Sequence, residues 1–247
     1  MGELSENKLI KPDWPSPVNV RAFTTTRHGG CSHGPWSSFN LGMNCGDDPR
    51  TVQQNRHTLL KLLPSEPSWL NQVHGTRVVG WESDNTDGIE ADAIFSRQAK
   101  QVCAVLTADC LPVLFCNQDG TRVAAAHAGW RGLAAGVLEA TVLAMKCEPA
   151  ELMAWLGPAI GPQTFEVGRD VYDTFVKLNQ ENATAFKTHR DRWLADLYQL
   201  ARHTLIRVGI DQVFGGGYCT CSEPEKFFSY RRDGVTGRMA SMIWLES

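Results

Sequence analysis

Two apolar segments separated by an Asp-Gly turn limit most strongly how this chain can fold. Residues 102–130 read VCAVLTADCLPVLFCNQDGTRVAAAHAGW, and the apolar runs on either side of Asp119-Gly120 have the length of buried strands. Asp-Gly between such runs is a strong hairpin signal, because both residues tolerate the positive φ that a tight turn requires. The segment therefore predicts two paired strands, with Cys110 and His127 at strand ends.

Shorter patterns predict the elements before this hairpin. The segment RAFTTTRHGG is rich in β-branched residues before Gly29-Gly30 and predicts a strand that runs into a glycine turn. Residues 51–63 predict a helix ended by a proline, and residues 76–82 predict a short strand. His74 then lies at a strand entrance.

Three helices and three further strands are predicted in the second half of the chain. Apolar residues at helical spacing over residues 133–145 predict a helix with one face on the sheet. Asp170 is predicted to cap the helix VYDTFVKLNQ, and residues 193–208 predict an amphipathic helix that Gly209 ends. The segments MAWLG, QVFGGG and SMIWLE are typical of buried or edge strands. This mixed order predicts an α/β (α+β) fold, and the absence of repeats and linkers predicts a single compact domain over residues 1–247.

The composition excludes several classes of function. With 24 lysines and arginines against 27 acids, the chain has a net charge of −3 and no basic footprint of the kind that nucleic-acid binding needs. No apolar run approaches the length that crosses a bilayer, and the first residues lack the apolar core of a secretory signal. We therefore expect a cytoplasmic protein without nucleic-acid or membrane partners, whose eight cysteines are reduced.

Three potential metal ligands, His74, Cys110 and His127, each fall at an end of a strand-like segment. Zinc accepts imidazole and thiolate, and three protein ligands leave a fourth tetrahedral position open, as catalytic zinc sites do. Their long separations match no short zinc motif. Taken singly, the three residues have alternatives: a loop histidine, a buried thiol and a hydrogen-bonded imidazole.

A series of sequence blocks stands in order along nearly the whole chain. They are FTTTRHGGCSHGPWSSFNLG from Phe23, NQVHG from Asn71, TADCLPVLF from Thr107, AAHAGWRG from Ala125, GPAIGP from Gly157 with FEVG from Phe165 behind it, and FFSYRRDGVTGRMASMIWL from Phe227. Together these blocks resemble the YfiH-like family. The resemblance implies a zinc-linked site formed by the histidine of NQVHG, the cysteine of ADCLP and the histidine of HAGWRG, which are His74, Cys110 and His127. It also implies a single layered domain in which helices flank mixed, paired β-sheets, similar to cytotoxic necrotizing factor, a Cys-His deamidase toxin.

The same resemblance implies an enzyme. The family was first labelled as multicopper polyphenol oxidases, and its members later came to be regarded as purine nucleoside enzymes. The implied activities are phosphorolysis of adenosine, inosine, guanosine and methylthioadenosine, and hydrolytic deamination of adenosine, with nucleoside and phosphate as partners. A separate attribution is an editing amidase that acts on wrongly built cytoplasmic peptidoglycan precursors. The familiar zinc deaminase signature, H-x-E followed by P-C-x-x-C, is absent from the sequence, so deamination would use a different scaffold.

The donor set leaves other interpretations open. A Cys110 thiolate activated by His127 would be a covalent nucleophile that needs no metal. Copper accepts two histidines and a cysteine in blue-copper centres, but no methionine is well placed as an axial ligand, and seven histidines are too few for a multicopper oxidase. A non-catalytic, zinc-stabilised interaction protein would close the site with a fourth ligand, for which Cys45 or His33 would be the candidates.

Five polar residues are candidates for substrate contact: Arg27, Asn40, Gln72, Asp109 and Arg131. Arg27 and Asn40 bracket a glycine-rich loop where the backbone can approach an anion, and loop pinning is the alternative. Gln72 and Asp109 precede two of the proposed ligands and would orient a ligand or relay a proton, although strand alternation would turn Asp109 away. Arg131 stands at a helix entrance and would hold phosphate together with backbone N–H groups, or else pair with a carboxylate.

The charged segment SYRRDGVTGR is open to two interpretations. Arg231, Arg232 and Arg238 would form a phosphate-binding rim, or they would belong to a short hairpin with surface ion pairs. These three residues are left out of the predicted site. The sequence does not indicate an oligomeric state.

Overall fold

The computed structural model describes residues 8–81 and 88–246, in which the strands form three sheets. The strands are β1 (Leu9–Ile10), β2 (Val20–Thr25), β3 (Val78–Gly80), β4 (Ala93–Ser96), β5 (Cys103–Thr107), β6 (Leu111–Asn117), β7 (Val123–Ala128), β8 (Leu152–Leu156), β9 (Glu166–Val167), β10 (Phe186–His189), β11 (Arg192–Ala195), β12 (Gln212–Gly215) and β13 (Met239–Leu245). The helices are α1 (Pro49–Leu60), α2 (Trp130–Ala135), α3 (Val137–Met145), α4 (Arg169–Leu178), α5 (Leu197–Arg207) and α6 (Tyr230–Asp233). Short 3-10 helices cover Gly34–Trp36, Pro149–Glu151 and Gln180–Ala185. Within the described ranges, none of the helices combines the length and the apolar character that crossing a membrane requires.

The largest sheet has six strands in the order β12-β8-β6-β7-β4-β3. Its four central strands pair antiparallel, whereas the edge strands β12 and β3 run parallel to β8 and β4. A second sheet, β1-β2-β13-β5, and a small sheet, β10-β11-β9, are antiparallel throughout. Mixed sheets with helices around them confirm the predicted α/β (α+β) fold.

The two larger sheets pack face to face between layers of helix. Cys103, Val105, Ala125 and Ile243 belong to the buried cluster between the sheets. The outer face of the six-stranded sheet packs against α3, α4 and α5, and the outer face of the other sheet packs against α1 through Leu59. Burial of each large apolar side chain contributes about 1.5–3 kcal/mol. The central strands are apolar on both faces, which explains their nearly continuous hydrophobic sequence.

The predicted hairpin is formed by β6 and β7, which the turn at Asp119-Gly120 connects. Gly120 has a φ of 62°, in the left-handed region that glycine adopts readily. The Asn117 carboxamide accepts two backbone N–H groups of the turn, each at 2.9 Å. Across the ladder, His127 pairs with Pro112, which follows Cys110 by two positions. The register therefore brings Cys110 and His127 to the same end of the sheet.

Other predicted elements are present with shifted boundaries. α1 begins at Pro49, earlier than predicted, because the Asp48 side chain caps it by accepting Arg50 N–H at 3.1 Å. The strand predicted over residues 76–82 is β3, and its predicted last residue lies outside the described ranges. The strands predicted at MAWLG, QVFGGG and SMIWLE are β8, β12 and β13.

Two helix predictions are wrong in detail. Residues 133–145 do not form one helix, because Gly136, with a φ of 101°, ends α2 and precedes α3. Gly168, and not Asp170, is the N-cap residue of α4. Asp170 lies in the first turn instead, where a carboxylate interacts favourably with the positive end of the helix dipole.

The helix predicted over residues 193–208 begins later than predicted, at Leu197. Residues 193–195 belong to β11, which pairs with both β9 and β10. α5 starts after Asp196, whose side chain accepts the N–H of Gln199 at 3.0 Å. Gly209, with a φ of 95°, follows the helix end as predicted.

Candidate metal centre

Three side chains, His74, Cys110 and His127, converge at one end of the β6–β7 hairpin. Their potential ligand atoms all lie within 4.8 Å of one another, and Cys110 Sγ is 3.7 Å from His74 Nε2. The two imidazole rings meet edge to face, with ring centroids 4.8 Å apart. His127 is buried, Cys110 is half-buried and His74 is exposed, so the donor set is accessible from one side.

The local backbone places each of the three donors. Cys110 immediately precedes β6, and His127 lies within β7. His74 lies in the loop before β3 with a φ of 61°, in the left-handed region. Gly129 has no side chain, and this makes room for the donors. A Cβ atom at this position would lie 2.8 Å from His74 Cδ2 and 2.9 Å from Cys110 Sγ. No larger residue fits between β7 and α2 without displacing the donors.

Asp92, a fully buried residue, holds both histidines. Its Oδ1 lies 2.8 Å from His127 Nδ1 and accepts the backbone N–H of His74 at 2.9 Å. Its Oδ2 accepts the N–H groups of Val73 at 3.2 Å and Gly75 at 2.6 Å. Because His127 Nδ1 is engaged by this carboxylate, Nε2 is the ring nitrogen that remains for a metal.

The electrostatics of the site favour a deprotonated thiol. Burial raises the pKa of Cys110, but the charges and hydrogen bonds of His127 and His74 outweigh burial and lower this pKa to about 6. Burial lowers the pKa of His127, but Cys110 and Asp92 outweigh burial and raise it to about 9. The pKa of Asp92 is lowered, since the hydrogen bonds from His127 and the neighbouring backbone outweigh burial. A thiolate beside an imidazolium is therefore the stable pair near neutral pH.

A cavity of about 680 Å³ opens beside the three donors. Its wall carries the aromatic rings of Trp69, Trp130, Phe165 and Tyr230 and the guanidinium groups of Arg56, Arg131, Arg231 and Arg238. A volume of this size is typical of small-molecule sites, which span roughly 300–1,000 Å³. Aromatic walls and positive charges together suit a planar base and an anion.

Arg27 and Asn40 do not line this cavity and instead hold the glycine-rich loop. Arg27 Nε donates to the carbonyl oxygen of Ser37 at 2.9 Å, and Nη1 donates to that of Pro224 at 3.0 Å. Asn40 is fully buried, and its Oδ1 accepts two backbone N–H groups from separate segments at 2.9 Å each. These bonds match the loop-pinning alternative, and the structure does not bring the two residues to His74, Cys110 and His127.

Gln72 and Asp109 line the cavity, but protein groups engage their polar atoms. The Gln72 carboxamide bonds both backbone groups of Leu106, from Nε2 to the carbonyl oxygen at 2.8 Å and from the N–H to Oε1 at 2.7 Å. Asp109 accepts Thr220 Oγ1–H at 2.6 Å and Arg231 N–H at 2.7 Å. These two bonds tie Asp109 to the C-terminal segment. They thereby fix the position of the backbone directly before Cys110.

Arg131 lies in the first turn of α2 and lines the cavity, as the helix-entrance prediction requires. Its side chain is exposed, and its guanidinium stacks over the Trp130 ring at 4.4 Å from the centroid. Among the residues that the structure describes, no carboxylate pairs with it. Arg131 is therefore available to an anion in the cavity.

The three C-terminal arginines divide between the cavity and the protein backbone. Their segment forms the helix α6 rather than a hairpin. Arg231 and Arg238, which the predicted site does not include, line the cavity. Arg232 instead donates to three backbone carbonyl groups and pairs with Asp233 at 2.7 Å.

Sequence reasoning missed Asp92 and the aromatic part of the wall. Asp92 stands in EADAIFS, directly before the apolar residues of β4, and an acid at the entrance of a buried strand is the signal that would have found it. Phe165 and Tyr230 come from separate segments. Only the tertiary fold brings their side chains to one cavity.

The donor set fits a single metal ion. A thiolate and two imidazoles, one of them held by a buried carboxylate, are the ligand types and the supporting contact found at zinc sites. In the described part of the chain, no other group of three or more His, Cys, Asp or Glu side chains is arranged to hold an ion, and neither Cys45 nor His33 joins this one. A single group with three donors provides fewer ligands than a multicopper oxidase needs.

Comparison with known proteins identifies the family to which these features belong. Residues 21–246 match the family described as multi-copper polyphenol oxidoreductase laccase, and the chain belongs to that family. It is 55% identical over 241 residues to the purine nucleoside phosphorylase YfiH of Escherichia coli, which covers 97% of this chain and 99% of that protein. A purine nucleoside phosphorylase of Pseudomonas aeruginosa is 52% identical over 242 residues, with 97% and 99% covered. The resemblance to the YfiH-like family is thereby confirmed.

Solved structures of similar proteins have the same fold. A Neisseria meningitidis protein of known crystal structure matches with a TM-score of 0.94 and 52% identity, over 97% of this chain and 100% of that chain. YlmD from Geobacillus stearothermophilus matches with a TM-score of 0.91 and 29% identity, over 98% of both chains. The expected similarity to cytotoxic necrotizing factor stays a prediction.

Proposed function

We propose that this protein is a zinc-dependent purine nucleoside phosphorylase with His74, Cys110 and His127 as its metal ligands. The observation that carries the proposal is the position of this donor set in the wall of a cavity that also presents aromatic rings and four arginines. Aromatic rings stack on purine bases, and guanidinium groups bind phosphate. The relatives named purine nucleoside phosphorylases support the same reaction. The expected substrates are adenosine, inosine, guanosine and methylthioadenosine.

Phosphorolysis transfers the ribosyl group from the base to phosphate. A phosphate oxygen forms a bond to C1′, the C1′–N9 bond breaks with its electron pair moving to the purine, and the purine takes up a proton. The products are the free base and ribose 1-phosphate. In this proposal Arg131 binds the phosphate, and the rings of Trp130 and Tyr230 position the base.

When bound, the zinc ion supplies Lewis-acid polarisation of a substrate atom. The chain sets the geometry for that chemistry through residues around the donors. Asp92 orients the His127 ring and fixes the backbone at His74, while Gly129 keeps the space beside Cys110 open. Such prior positioning lowers the reorganisation that the reaction requires.

Zinc-loaded protein incubated with inosine, with and without phosphate, tests the proposed function. We expect hypoxanthine and ribose 1-phosphate only when phosphate is present. Cys110→Ala should abolish the reaction, whereas Cys147→Ala, which removes a half-buried thiol away from the cavity, should retain it. Hypoxanthine released at the same rate without phosphate would make the protein a hydrolase and contradict the proposal.

Hydrolytic deamination of adenosine is proposed as a further activity of the same site. Water replaces the 6-amino group of the base, and inosine and ammonia are the products. This reaction consumes no phosphate, so it should proceed in phosphate-free buffer. Detection of ammonia from adenosine under those conditions, and its loss in Cys110→Ala, is the expected result. Absence of ammonia release by the zinc-loaded protein would contradict the proposed deamination.

A second candidate function is amide hydrolysis with Cys110 as the nucleophile. The specific observation in its favour is the series formed by Cys110, His127 and Asp92, in which the thiol has a lowered pKa and the imidazole bonds a buried carboxylate. The substrate would be a cytoplasmic peptidoglycan precursor. Zinc removal separates the two functions, because a thiolate nucleophile keeps its turnover without the metal and a metal-dependent phosphorylase does not.

Residues 1–247 act as a single catalytic domain in the cytoplasm, with nucleoside and phosphate as small-molecule partners. Zinc, rather than copper, is the expected metal of the His2Cys set. Elemental analysis of protein purified without added metal tests that choice, and copper as the main bound metal would overturn it.

A further inference from the structure

The cavity extends to a second group of charged side chains, to which the proposed phosphorolysis assigns no individual step. Arg56, Arg238 and the ring of Trp69 line this part, which we name the arginine end. Arg56 donates from Nε and Nη2 to the carbonyl oxygen of Leu41 at 3.0 and 2.9 Å, and its guanidinium stacks 4.0 Å from the Trp69 centroid. The N–H of Leu41 donates to the carbonyl oxygen of Arg238 at 3.2 Å. Both arginines therefore flank the same residue.

Arg238 has donors that the protein leaves open. Its Nη1 donates to the carbonyl oxygens of Thr236 and Gly237 at 2.9 and 3.0 Å, whereas Nε and Nη2 have no acceptor among the described residues. Thr107, which pairs across the sheet with Met239, lines the cavity at 1% exposure. Its hydroxyl also has no hydrogen-bond partner within the described residues. Buried polar groups are normally paired, so the Thr107 hydroxyl and the open N–H groups of Arg238 mark a place where a ligand in the cavity would find donors.

The charge of the cavity indicates that a ligand for these donors is an anion. Four arginines line the cavity, and Asp109 is the one carboxylate among its described lining residues. That carboxylate already accepts hydrogen bonds from Thr220 and Arg231. Guanidinium groups bind phosphate through paired, charge-assisted N–H donors. At about 680 Å³ the cavity has room for a substituent beyond a nucleoside.

We propose that the arginine end binds a phosphate ester carried by the nucleoside, so that nucleoside 5′-phosphates are preferred ligands of this site. The inference rests on the proposed function, since it places the base and ribose beside the metal centre. The co-substrate phosphate stays with Arg131, and the 5′-phosphate accepts from the open donors of Arg238, beside the positive charge of Arg56. These two arginines are then specificity-determining residues.

Calorimetric titration of the zinc-loaded protein with inosine and with inosine 5′-phosphate, in phosphate-free buffer, tests the inference. We expect the ester to bind at least about tenfold more tightly than the nucleoside. Arg238→Gln and Arg56→Gln should each reduce this ratio to near one. Arg169→Gln, a matched change at an exposed arginine of α4, should keep the wild-type ratio. Two variants are needed because either arginine also holds backbone, and thermal melting identifies a variant that has lost its fold.

Three results would overturn the inference. Equal affinities of the wild-type protein for the two ligands would contradict it and leave the proposed function standing. A ratio that falls in Arg131→Ala, but in neither glutamine variant, would place the ester at the co-substrate site. Failure of the wild-type protein to bind either ligand would remove both the inference and the proposed function.

Discussion

At the level of single residues, the buried carboxylate of Asp92 connects two of the proposed metal donors, His74 and His127, which come from distant parts of the chain. It bonds the His127 ring on one side and three consecutive backbone N–H groups, at residues 73–75, on the other. The left-handed backbone of His74 is held by this contact, because such a conformation is unfavourable for a residue with a side chain. One residue thus orients a side chain and a loop together.

Asp92→Asn should weaken zinc binding by about ten- to a hundredfold, because a carboxamide would turn an NH2 group toward backbone N–H donors that now share a carboxylate. Competition with a chromogenic chelator measures the affinity. Asp47→Asn is the matched control, since Asp47 accepts Ser32 Oγ–H at 2.7 Å in a loop apart from the three donors. Unchanged zinc affinity in Asp92→Asn would remove Asp92 from its positioning role.

The thiol of Cys110 in metal-free protein should react with iodoacetamide with a midpoint near pH 6, because neighbouring imidazoles lower its pKa to about 6. The Cys110 thiolate contributes to the free energy of unfolding. This contribution is fully present above the pKa of the thiol in the unfolded chain and is lost as the pH falls through about 6. The His127 contribution has the opposite sign and is lost as the pH rises through about 9. Peptide mapping after alkylation gives the midpoint.

His127→Ala should move that midpoint upward, since it removes the largest of the influences that lower the Cys110 pKa. The fold should survive, because His127 lies near the end of its strand. A midpoint near the usual thiol value of about 8.5 in the unsubstituted protein would contradict the thiolate assignment.

Local signals alone left the site open in the sequence, and the resemblance to a family selected it. His74, Cys110 and His127 stand beside turn residues near predicted strand ends, and the structure brings them together. Arg27 and Asn40 also stand beside glycines, but their bonds are to the loop, and no local pattern distinguishes these cases. The cavity wall depends on side chains from separate segments, so it required the tertiary structure.

At the level of secondary-structure elements, the junction between β7 and α2 decides whether the donors fit. Gly129→Ala should lower zinc affinity and activity strongly, because the added Cβ would lie 2.8 Å from His74 and 2.9 Å from Cys110. Gly217→Ala is the matched control, since a Cβ there meets no atom within 4 Å. Zinc titration and thermal melting of the two variants make the comparison. Equal zinc affinity in both would show that the junction tolerates a side chain.

Most of the elements follow from hydrophobic pattern and turn chemistry, and the errors have identifiable physical causes. The hairpin was predictable because Asp119-Gly120 and two apolar runs act within one short segment. The break at Gly136 was hidden, because apolar spacing continues through it. Residues 193–195 read as helix but form β11, because pairing with neighbouring strands outweighs local propensity.

At the level of the whole molecule, we predict that one substitution separates phosphate use from deamination of adenosine. Arg131→Ala should reduce kcat/KM for phosphate by about tenfold or more, because the guanidinium has no carboxylate partner among the described residues and lines the cavity. Deamination of adenosine needs no phosphate and should change much less. Both activities are measured on one preparation, with Arg169→Ala as the control. An equal loss of both would give Arg131 a structural role.

The most direct test of the central claim is a zinc titration of metal-free protein in which bound zinc and phosphorolysis of inosine are measured in the same samples. We predict negligible turnover without zinc, and turnover that rises in proportion to bound metal and reaches its limit at about one zinc per chain. Cys110→Ala should neither bind the ion tightly nor gain activity. Full turnover in the metal-free protein, or full zinc occupancy and activity in Cys110→Ala, would contradict a metal centre formed by His74, Cys110 and His127.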